Sequence, residues 1–449
     1  YDTWWRILKG DFDIVLGSRS AIFTPIKDLG VIIIDEEHEW AYKQQDPSPR
    51  YHVRSVAEKL MEIQGSVLIL GSATPDVESY YKGVKGEYEV LRLRSRIISG
   101  SIEPHRIGAL ASVKIVDMRE ELKAGVRSIF SRILEKSLVE TLARGEQAIL
   151  FLNRRGSSWS IQCRDCGHVL VCRGCNAPLN YHGLQDRLVC HYCGRSTKTE
   201  THCPSCKGPH IRYLGLGTQR VVEEVEKIFG VKALLWDRDT TTRAGEHTEL
   251  LESFARGDFQ VLVGTQMIAK GLDLPQVTLV GAMLADLGLF VPDFRAGERG
   301  FQLLYQVAGR AGRGESEGSV VVQTYQPDNY AILTAAAQDY QSFYSHEINY
   351  RREQGNPPFN KLVRLLHSST NQSRSELEAE RLANLLKLER DATGHSDIDV
   401  LGPTPALLSK LRGQYRWQIL LRGTSPRTLL NRVIIPNTWT IDIDPVSLI

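Results

Sequence analysis

The stretch Val31-Ile32-Ile33-Ile34-Asp35-Glu36-Glu37-His38 decides the fold class of this chain. Its four consecutive β-branched residues read as a short strand. Runs of this kind, bounded by turns and separated by helical sequence, belong to parallel layers buried on both faces. The four polar residues then fall at the carboxyl end of that strand, where α/β sheets hold their ligands. The pattern recurs: Val67–Leu70 is a second apolar run, followed by the small-residue loop Gly71-Ser72-Ala73-Thr74-Pro75. Between them Arg54–Gln64 reads as a helix with Val56, Leu60 and Ile63 on one face. Phe12–Gly17 reads as a further short strand.

A second α/β pattern begins at the strand Ala148–Leu152 and resumes after a cysteine-rich interruption. It continues with a helix over Arg220–Phe229, strands over Val261–Val263 and Thr278–Gly281, a helix over Arg299–Ala308 and a strand over Ser319–Thr324. Arg92–Gly125 has no steady period and reads as a connector around one strand, Lys114–Asp117. Helix-forming sequence over Asn329–Arg352 runs into the loop Gly355-Asn356-Pro357-Pro358, a natural boundary. Beyond it, strands over Lys361–His367 and Trp417–Arg422 flank a charged helix over Ser373–Arg390, the makings of a small α+β domain. The expected division is a first lobe over 1–99, a connector and start of the second lobe over 100–145, and that lobe's first strand within 146–160. A zinc-binding insertion over 161–211, the remainder of the second lobe over 212–350 and a C-terminal α+β domain over 351–449 complete it.

Composition narrows the function classes. At 449 residues with 42% hydrophobic and 24% charged, the chain is an ordinary multi-domain folded protein, which excludes wholesale disorder. No apolar run is long enough to span a bilayer, and the absence of a secretory pattern points to the cytoplasm. Lys plus Arg minus Asp plus Glu is 55 − 53 = +2, so any nucleic-acid surface must be local.

All eight cysteines lie between Cys163 and Cys206 as four CxxC pairs: Cys163/Cys166, Cys172/Cys175, Cys190/Cys193 and Cys203/Cys206. In a reducing compartment this arrangement binds metal, because CxxC lets two thiolates reach one tetrahedral ion. Two structural Zn2+ per chain are expected. The 14 residues between Cys175 and Cys190 suit a four-cysteine site, which leaves the outer pairs to close the other and makes the sites nested. Adjacent pairing is the rival. From Cys163 to Arg220 the chain carries eight Lys/Arg against three Asp/Glu, an excess that suits a nucleic-acid surface or a merely solvated face.

Other residues carry chemistry of their own. An Asp at the end of a strand holds Mg2+ through water, and a neighbouring carboxylate activates an attacking water, which makes Asp35 and Glu36 candidates. Gly264-Thr265-Gln266-Met267 and then Lys270 stand just past a strand of the second unit. Gln306-Val307-Ala308-Gly309-Arg310-Ala311-Gly312-Arg313 puts two arginines three apart on one helical face, with guanidinium groups that match phosphate oxygens.

DEEH (35–38), GSATP (71–75) and QVAGRAGR (306–313) in this order resemble motifs II, III and VI of superfamily 2 helicases. With FLNRRG (151–156) before the cysteine insert, GTQMIAKG (264–271) and PDFRAGERGFQLLYQVAGRAGR (292–313), the chain resembles the primosomal replication-restart helicases along its whole length. The resemblance implies two RecA-like lobes and a 3′→5′ DNA helicase that uses ATP and Mg2+. It implies binding of stalled forks and recombination intermediates, single-stranded DNA, primosome proteins and single-stranded DNA-binding protein, in the bacterial cytoplasm. Two places depart from the pattern: Leu272 and Leu274, where relatives more often carry His and Phe, and Gly217-Thr218-Gln219-Arg220, where an acidic third residue is usual.

Carried over residue by residue, Asp35 and Glu36 serve Mg2+ and water activation. Glu37, His38, Ser72, Thr74 and Gln306 couple hydrolysis to DNA movement, and Arg310 and Arg313 meet the ATP phosphates across a cleft between lobes. Trp40, Tyr42, Lys43, Arg50 and Tyr51 resemble the family's aromatic-rich loop, in which rings stack on unpaired bases while cations meet phosphates. Thr265, Gln266 and Lys270 are implied DNA contacts. Trp40 as a core residue is the rival for its position.

No Gly-rich Lys-Ser/Thr phosphate loop occurs in these residues. The family's organisation places it upstream of residue 1, with an N-terminal DNA-binding domain. The expectation is therefore an N-terminally truncated chain with an incomplete first lobe and no ATP hydrolysis of its own. A catalytically silent zinc-containing scaffold that binds DNA and recruits restart partners is the alternative. Glu36, Arg310 and Arg313 favour the enzyme, since a scaffold has no use for transition-state charge.

Overall fold

The computed structural model describes residues 1–93, 111–153, 161–174, 177–182, 187–191, 193–213, 217–237, 246–266, 268, 274–312 and 317–448. They form two compact units, one of residues 1–90 with 355–400 and 410–448, the other of 91–354 with 401–409.

In the first unit β1 (Val31–Ile34) and β2 (Val67–Leu70) run parallel, with Val31 opposite Val67 and Ile34 opposite Leu70. The helix Val53–Gln64 begins where the His52 ring accepts the Arg54 N–H and ends at Gly65 in the left-handed conformation, which favours glycine. It buries Val53 and Ala57 against Ile32 and Ile34. Three expectations are corrected here. The helix face in the core is Val53, Ala57 and Leu60, one position round from the expected Val56 face, and Ile63 is exposed. The strands are covered on one side only, with Val31, Ile33, Val67 and Ile69 exposed. Nor is Phe12–Gly17 a strand: among the described residues no β partner reaches it, and Ile14 and Leu16 lie in solvent.

The second unit is built on six strands. β3 (Ser112–Asp117) and β4 (Gln147–Leu152) come first. The cysteine-rich insertion follows, with β5 (Ile161–Cys163), β6 (Asn180–His182), β7 (Arg187–Val189), β8 (Ser196–Lys198) and β9 (Ile211–Tyr213). Then come β10 (Ala233–Trp236), β11 (Val261–Gly264), β12 (Val277–Met283) and β13 (Ser319–Thr324). The order across the sheet is β10-β11-β4-β12-β13-β3, and every neighbouring pair is parallel. Continuous apolar runs produce this layer because both faces are covered. Leu134 and Leu138 from the helix Arg132–Ala143 and Val221 and Val225 from the helix Thr218–Phe229 pack against Leu150, Val261 and Val263. The insertion has its own small core of Ile161, Leu170, Leu179 and Leu188, in which β5 pairs with β9 and β6, β7 and β8 form an antiparallel sheet.

The C-terminal sheet contains β14 (Lys361–Ser369), β15 (Asp399–Leu411), β16 (Gln414–Gly423) and β17 (Trp439–Ile443), in the order β15-β16-β14-β17. The helix Gln372–Ala392 lays Ala379, Leu382, Ala383 and Leu386 on Val363, Leu365, Ile419 and Leu421. The α/β class, the cysteine-rich insertion and the small antiparallel domain are those expected from the sequence. Among the described residues no helix is long and apolar enough to cross a membrane.

Candidate functional site

The loops after β1 and β2 are zipped together by main-chain bonds. Gly71 N–H donates to Ile34 O at 2.9 Å, and Glu37 N–H donates to Gly71 O at 3.0 Å. This pairing presents Asp35 and Glu36 at the exposed end of the strand pair. Glu36 has a φ of 47°, a left-handed conformation that costs a non-glycine residue roughly 1–2 kcal/mol. Its N–H is held by Asp35 Oδ1 at 2.9 Å. Such strain gathers where a side chain has to be aimed.

The next two residues turn inward. Glu37 is buried and ties the loops to the helix Val77–Val84, accepting from Asp76 N at 2.7 Å, Ser79 Oγ at 2.8 Å and Arg54 Nη1 at 2.8 Å. Burial raises its pKa, with Arg54 working against that rise. His38 Nδ1 lies 2.6 Å from Ser72 Oγ and 3.5 Å from Glu36 Oε2, and Ser72 Oγ accepts the Thr74 N–H at 3.0 Å. A side-chain relay therefore joins the exposed carboxylate to the loop after β2. Thr74 is fully buried beneath it.

The aromatic segment follows at once. Trp40–Tyr42 is one turn of 3-10 helix, with Trp40 on the surface and Tyr42 half-buried. The Tyr42 hydroxyl donates to Asp35 O at 2.7 Å. Tyr51 packs edge-on to Phe23, and Arg50 pairs with Asp46 at 3.3 Å. Lys43 corrects an expectation. It is buried, not turned toward solvent, and its ammonium lies among oxygens of the C-terminal sheet.

In the second unit, polar groups gather at the carboxyl ends of β10, β11 and β4. Thr265 Oγ1 and Thr218 Oγ1 both approach the Asp237 carboxylate, at 3.4 and 3.3 Å, and Gln266 Nε2 donates to Asn153 Oδ1 at 3.4 Å. Thr265 is buried, so its hydroxyl serves this cluster. No motif marks Asp237, and Asn153 lies within FLNRRG without a role assigned to it; the signal at both is a polar residue directly after an apolar strand. Asp286 behaves similarly past β12. It accepts from the Thr324 hydroxyl and from Tyr325 N–H at 2.8 Å, and burial pushes its carboxyl up to about 6 despite both bonds.

Arg310 does not extend a helical face. The helix Ala296–Ala308, with Gln306 in its last turn, is capped by Gly309, and the Gly312 N–H donates to Val277 O at 3.1 Å, returning the chain to the sheet. Arg310 sits in the intervening turn. Arg313, Lys270 and Cys175 lie outside the described residues.

The cysteines gather in the nested pattern. Cys163, Cys166, Cys203 and Cys206 form one group and Cys172, Cys190 and Cys193 another, with the sulfurs of each group within 4.8 Å of one another. Sulfur separations are 3.7 Å for Cys163–Cys206, 3.6 Å for Cys166–Cys203 and 3.7 Å for Cys172–Cys193. A Zn–S bond of about 2.3 Å in a tetrahedron places sulfurs about 3.8 Å apart, so these residues fit zinc. Burial pushes the Cys163 thiol up to about 12, a cost that a central cation reverses by stabilising thiolates. The module is joined to the sheet unit by Arg119 Nη1 donating to Cys166 O at 3.2 Å and by Gln326 donating to Gly167 O.

Three segments match known families. Residues 172–198 match the PriA DNA helicase Cys-rich region domain, residues 215–315 the helicase conserved C-terminal domain, and residues 352–446 the primosomal protein N C-terminal domain. The replication restart protein PriA of Bacillus subtilis (strain 168) is 46% identical over 97% of this chain and 53% of its own length. That of Synechocystis sp. is 41% identical over 100% of this chain and 54% of its own. The chain thus spans about half the length of these curated relatives. Among solved structures, S. cerevisiae Dbp5 bound to RNA and ADP BeF3 is 14% identical over 71% of this chain and 58% of that one, at a TM-score of 0.34, too slight a likeness to argue from. With a Cys-rich region, a helicase C-terminal segment and a primosomal C-terminal domain in one chain, and identity to PriA proteins across nearly all of it, the chain belongs to the PriA family of replication restart proteins.

Proposed function

We propose that this chain is the motor and fork-recognition portion of an ATP-driven DNA helicase that moves 3′→5′ on single-stranded DNA and starts primosome assembly at stalled forks and recombination intermediates. The observation that carries the reading is the joined loop pair after β1 and β2. Asp35 and Glu36 are exposed, and His38 hydrogen-bonds Ser72, in a chain of the PriA family. Asp35 would hold Mg2+ through water and Glu36 would orient the attacking water, chemistry that depends mainly on position and charge. Mg2+ and ATP supply the electrophile. The protein residues align it, and Arg310 and Arg313 add positive charge to the transition state. The His38–Ser72 link passes the state of the carboxylate loop to Thr74, while Trp40 and Tyr51 offer rings to unpaired bases alongside Arg50. Gln266 and Lys270 are the DNA contacts proposed for the second unit.

Two Zn2+ per chain would hold the insertion, one by Cys163, Cys166, Cys203 and Cys206, the other by Cys172, Cys175, Cys190 and Cys193. Four sulfurs leave no open position for water, so these ions are structural. Primosome proteins and single-stranded DNA-binding protein are the proposed partners, in the cytoplasm. A strand-displacement assay with the full-length protein tests this reading. Displacement should require ATP and a 3′ single-stranded tracking arm. Fork binding with no ATP-dependent displacement would identify a scaffold instead.

A further inference from the structure

Lys43 directly follows the aromatic turn, yet its ammonium is bound by residues 400 positions away. The side chain is 2% exposed. It donates to Ile443 O at 2.5 Å and to Asp444 O at 3.2 Å, and it lies 3.1 Å from Asp442 Oδ1. All three oxygens come from the end of β17 and the residue after it. Asp444 has a φ of 49°, so the chain bends sharply there, and its carboxylate pairs with Arg427, leaving its carbonyl for Lys43. Two carbonyls accept from the ammonium and the Asp442 carboxylate lies beside it as the counter-charge, which compensates the burial of the cation. A planar guanidinium would not reproduce it.

The residue just before Lys43 touches the carboxylate loop. The Tyr42 hydroxyl holds Asp35 O, and Arg19 Nη1 donates to Ala41 O at 3.3 Å and Lys43 O at 3.0 Å. The segment that presents Trp40 is therefore held between the backbone of Asp35 and the end of the C-terminal sheet.

We propose that Lys43 is a positioning residue: by tying the aromatic turn to β17, it makes the C-terminal domain part of the device that relays base contact at Trp40 to Asp35 and Glu36. This rests on the helicase reading above. Neither Lys43 nor Asp442 needs to touch nucleotide or DNA, yet both should set how strongly DNA stimulates ATP turnover.

The test uses full-length protein and its Lys43→Met and Asp442→Asn variants. It compares ATP turnover with and without single-stranded DNA and follows amide exchange of residues 40–45. Lys43→Met should lower the ratio of stimulated to unstimulated turnover by about fivefold or more, the size of an ordinary coupling between sites. Exchange at 40–45 should speed up. Asp442→Asn keeps both carbonyl partners and should act in the same direction more weakly, which provides the answer if Lys43→Met fails to fold. Faster exchange with an unchanged ratio would overturn the proposal, since the anchor would then be mechanically silent. Absence of DNA stimulation in the unmutated protein would instead sink the helicase reading.

Discussion

Two parallel layers in this protein share one sequence signature and end in different environments. β11 buries Val261, Leu262 and Val263 completely. β1 and β2, equally apolar, leave Val31 47%, Ile33 66%, Val67 59% and Ile69 47% exposed. The difference lies in the layers around them. The six-stranded sheet has helices packed on it, whereas the strand pair has one face covered, by Val53, Ala57 and Leu60 of a single helix with Ile22, Leu29, Tyr42 and Tyr51 around them. The same contrast holds at the strand ends, where Asp286 is fully buried and Asp35 is exposed. An apolar run therefore predicts a strand, but its burial depends on what the rest of the fold supplies.

The largest expected effect concerns the insertion, which lies outside both layers. Structural zinc contributes about 10–16 kcal/mol of apparent binding energy in small modules. Metal analysis should find two zinc ions per chain. Chelation, or Cys172→Ser, should unfold residues 161–213 while amide protection in β4 and β11 persists. One ion or none, or loss of the sheet with the metal, would break the separation drawn here.

Next in size is a matched pair of truncations. Leu262→Ala should cost about 2–5 kcal/mol in denaturant unfolding, as for other buried leucines. Ile33→Ala removes a side chain already in solvent and should change stability by about 0.5 kcal/mol or less. Equal losses would mean that the outer face of β1 is covered in solution.

Where these layers were legible in the sequence, the reason was local. Ala148–Leu152, Val261–Val263 and Ser319–Thr324 are strands because their apolar runs are self-contained signals, and each helps build the sheet. CxxC spacing marked the cysteine groups for the same reason. The failures are non-local. Phe12–Gly17 lacks a partner strand among the described residues, which its own sequence does not reveal. Gly309 ends the helix before Arg310, so spacing three apart did not become a helical face. Lys43 looks like a phosphate contact until β17 is placed beside it. β15 carries Gly402, Pro403 and Pro405, which disguise a thirteen-residue strand.

A smaller effect concerns the buried strand-end carboxylate. The folded Asp286 carboxyl sits at about 6 against 3.8 for an ordinary aspartate, because burial disfavours its charge. The folded state then binds a proton more tightly than the unfolded one. The penalty is absent below pH 4, grows between 4 and 6 and is complete above 6. Urea midpoints should show wild type losing ground to Asp286→Asn as pH rises from 5 to 7. A difference independent of pH would contradict the buried carboxylate.

The central claim is that the exposed carboxylates after β1 do the chemistry that the joined loop pair transmits. Steady-state ATP turnover by full-length protein and its Glu36→Gln variant, with and without single-stranded DNA, tests it most directly. Glu36→Gln should lower DNA-stimulated turnover by about 100-fold or more, the scale of a lost proton-transfer group, with DNA binding intact. Turnover undiminished by the substitution would contradict the account.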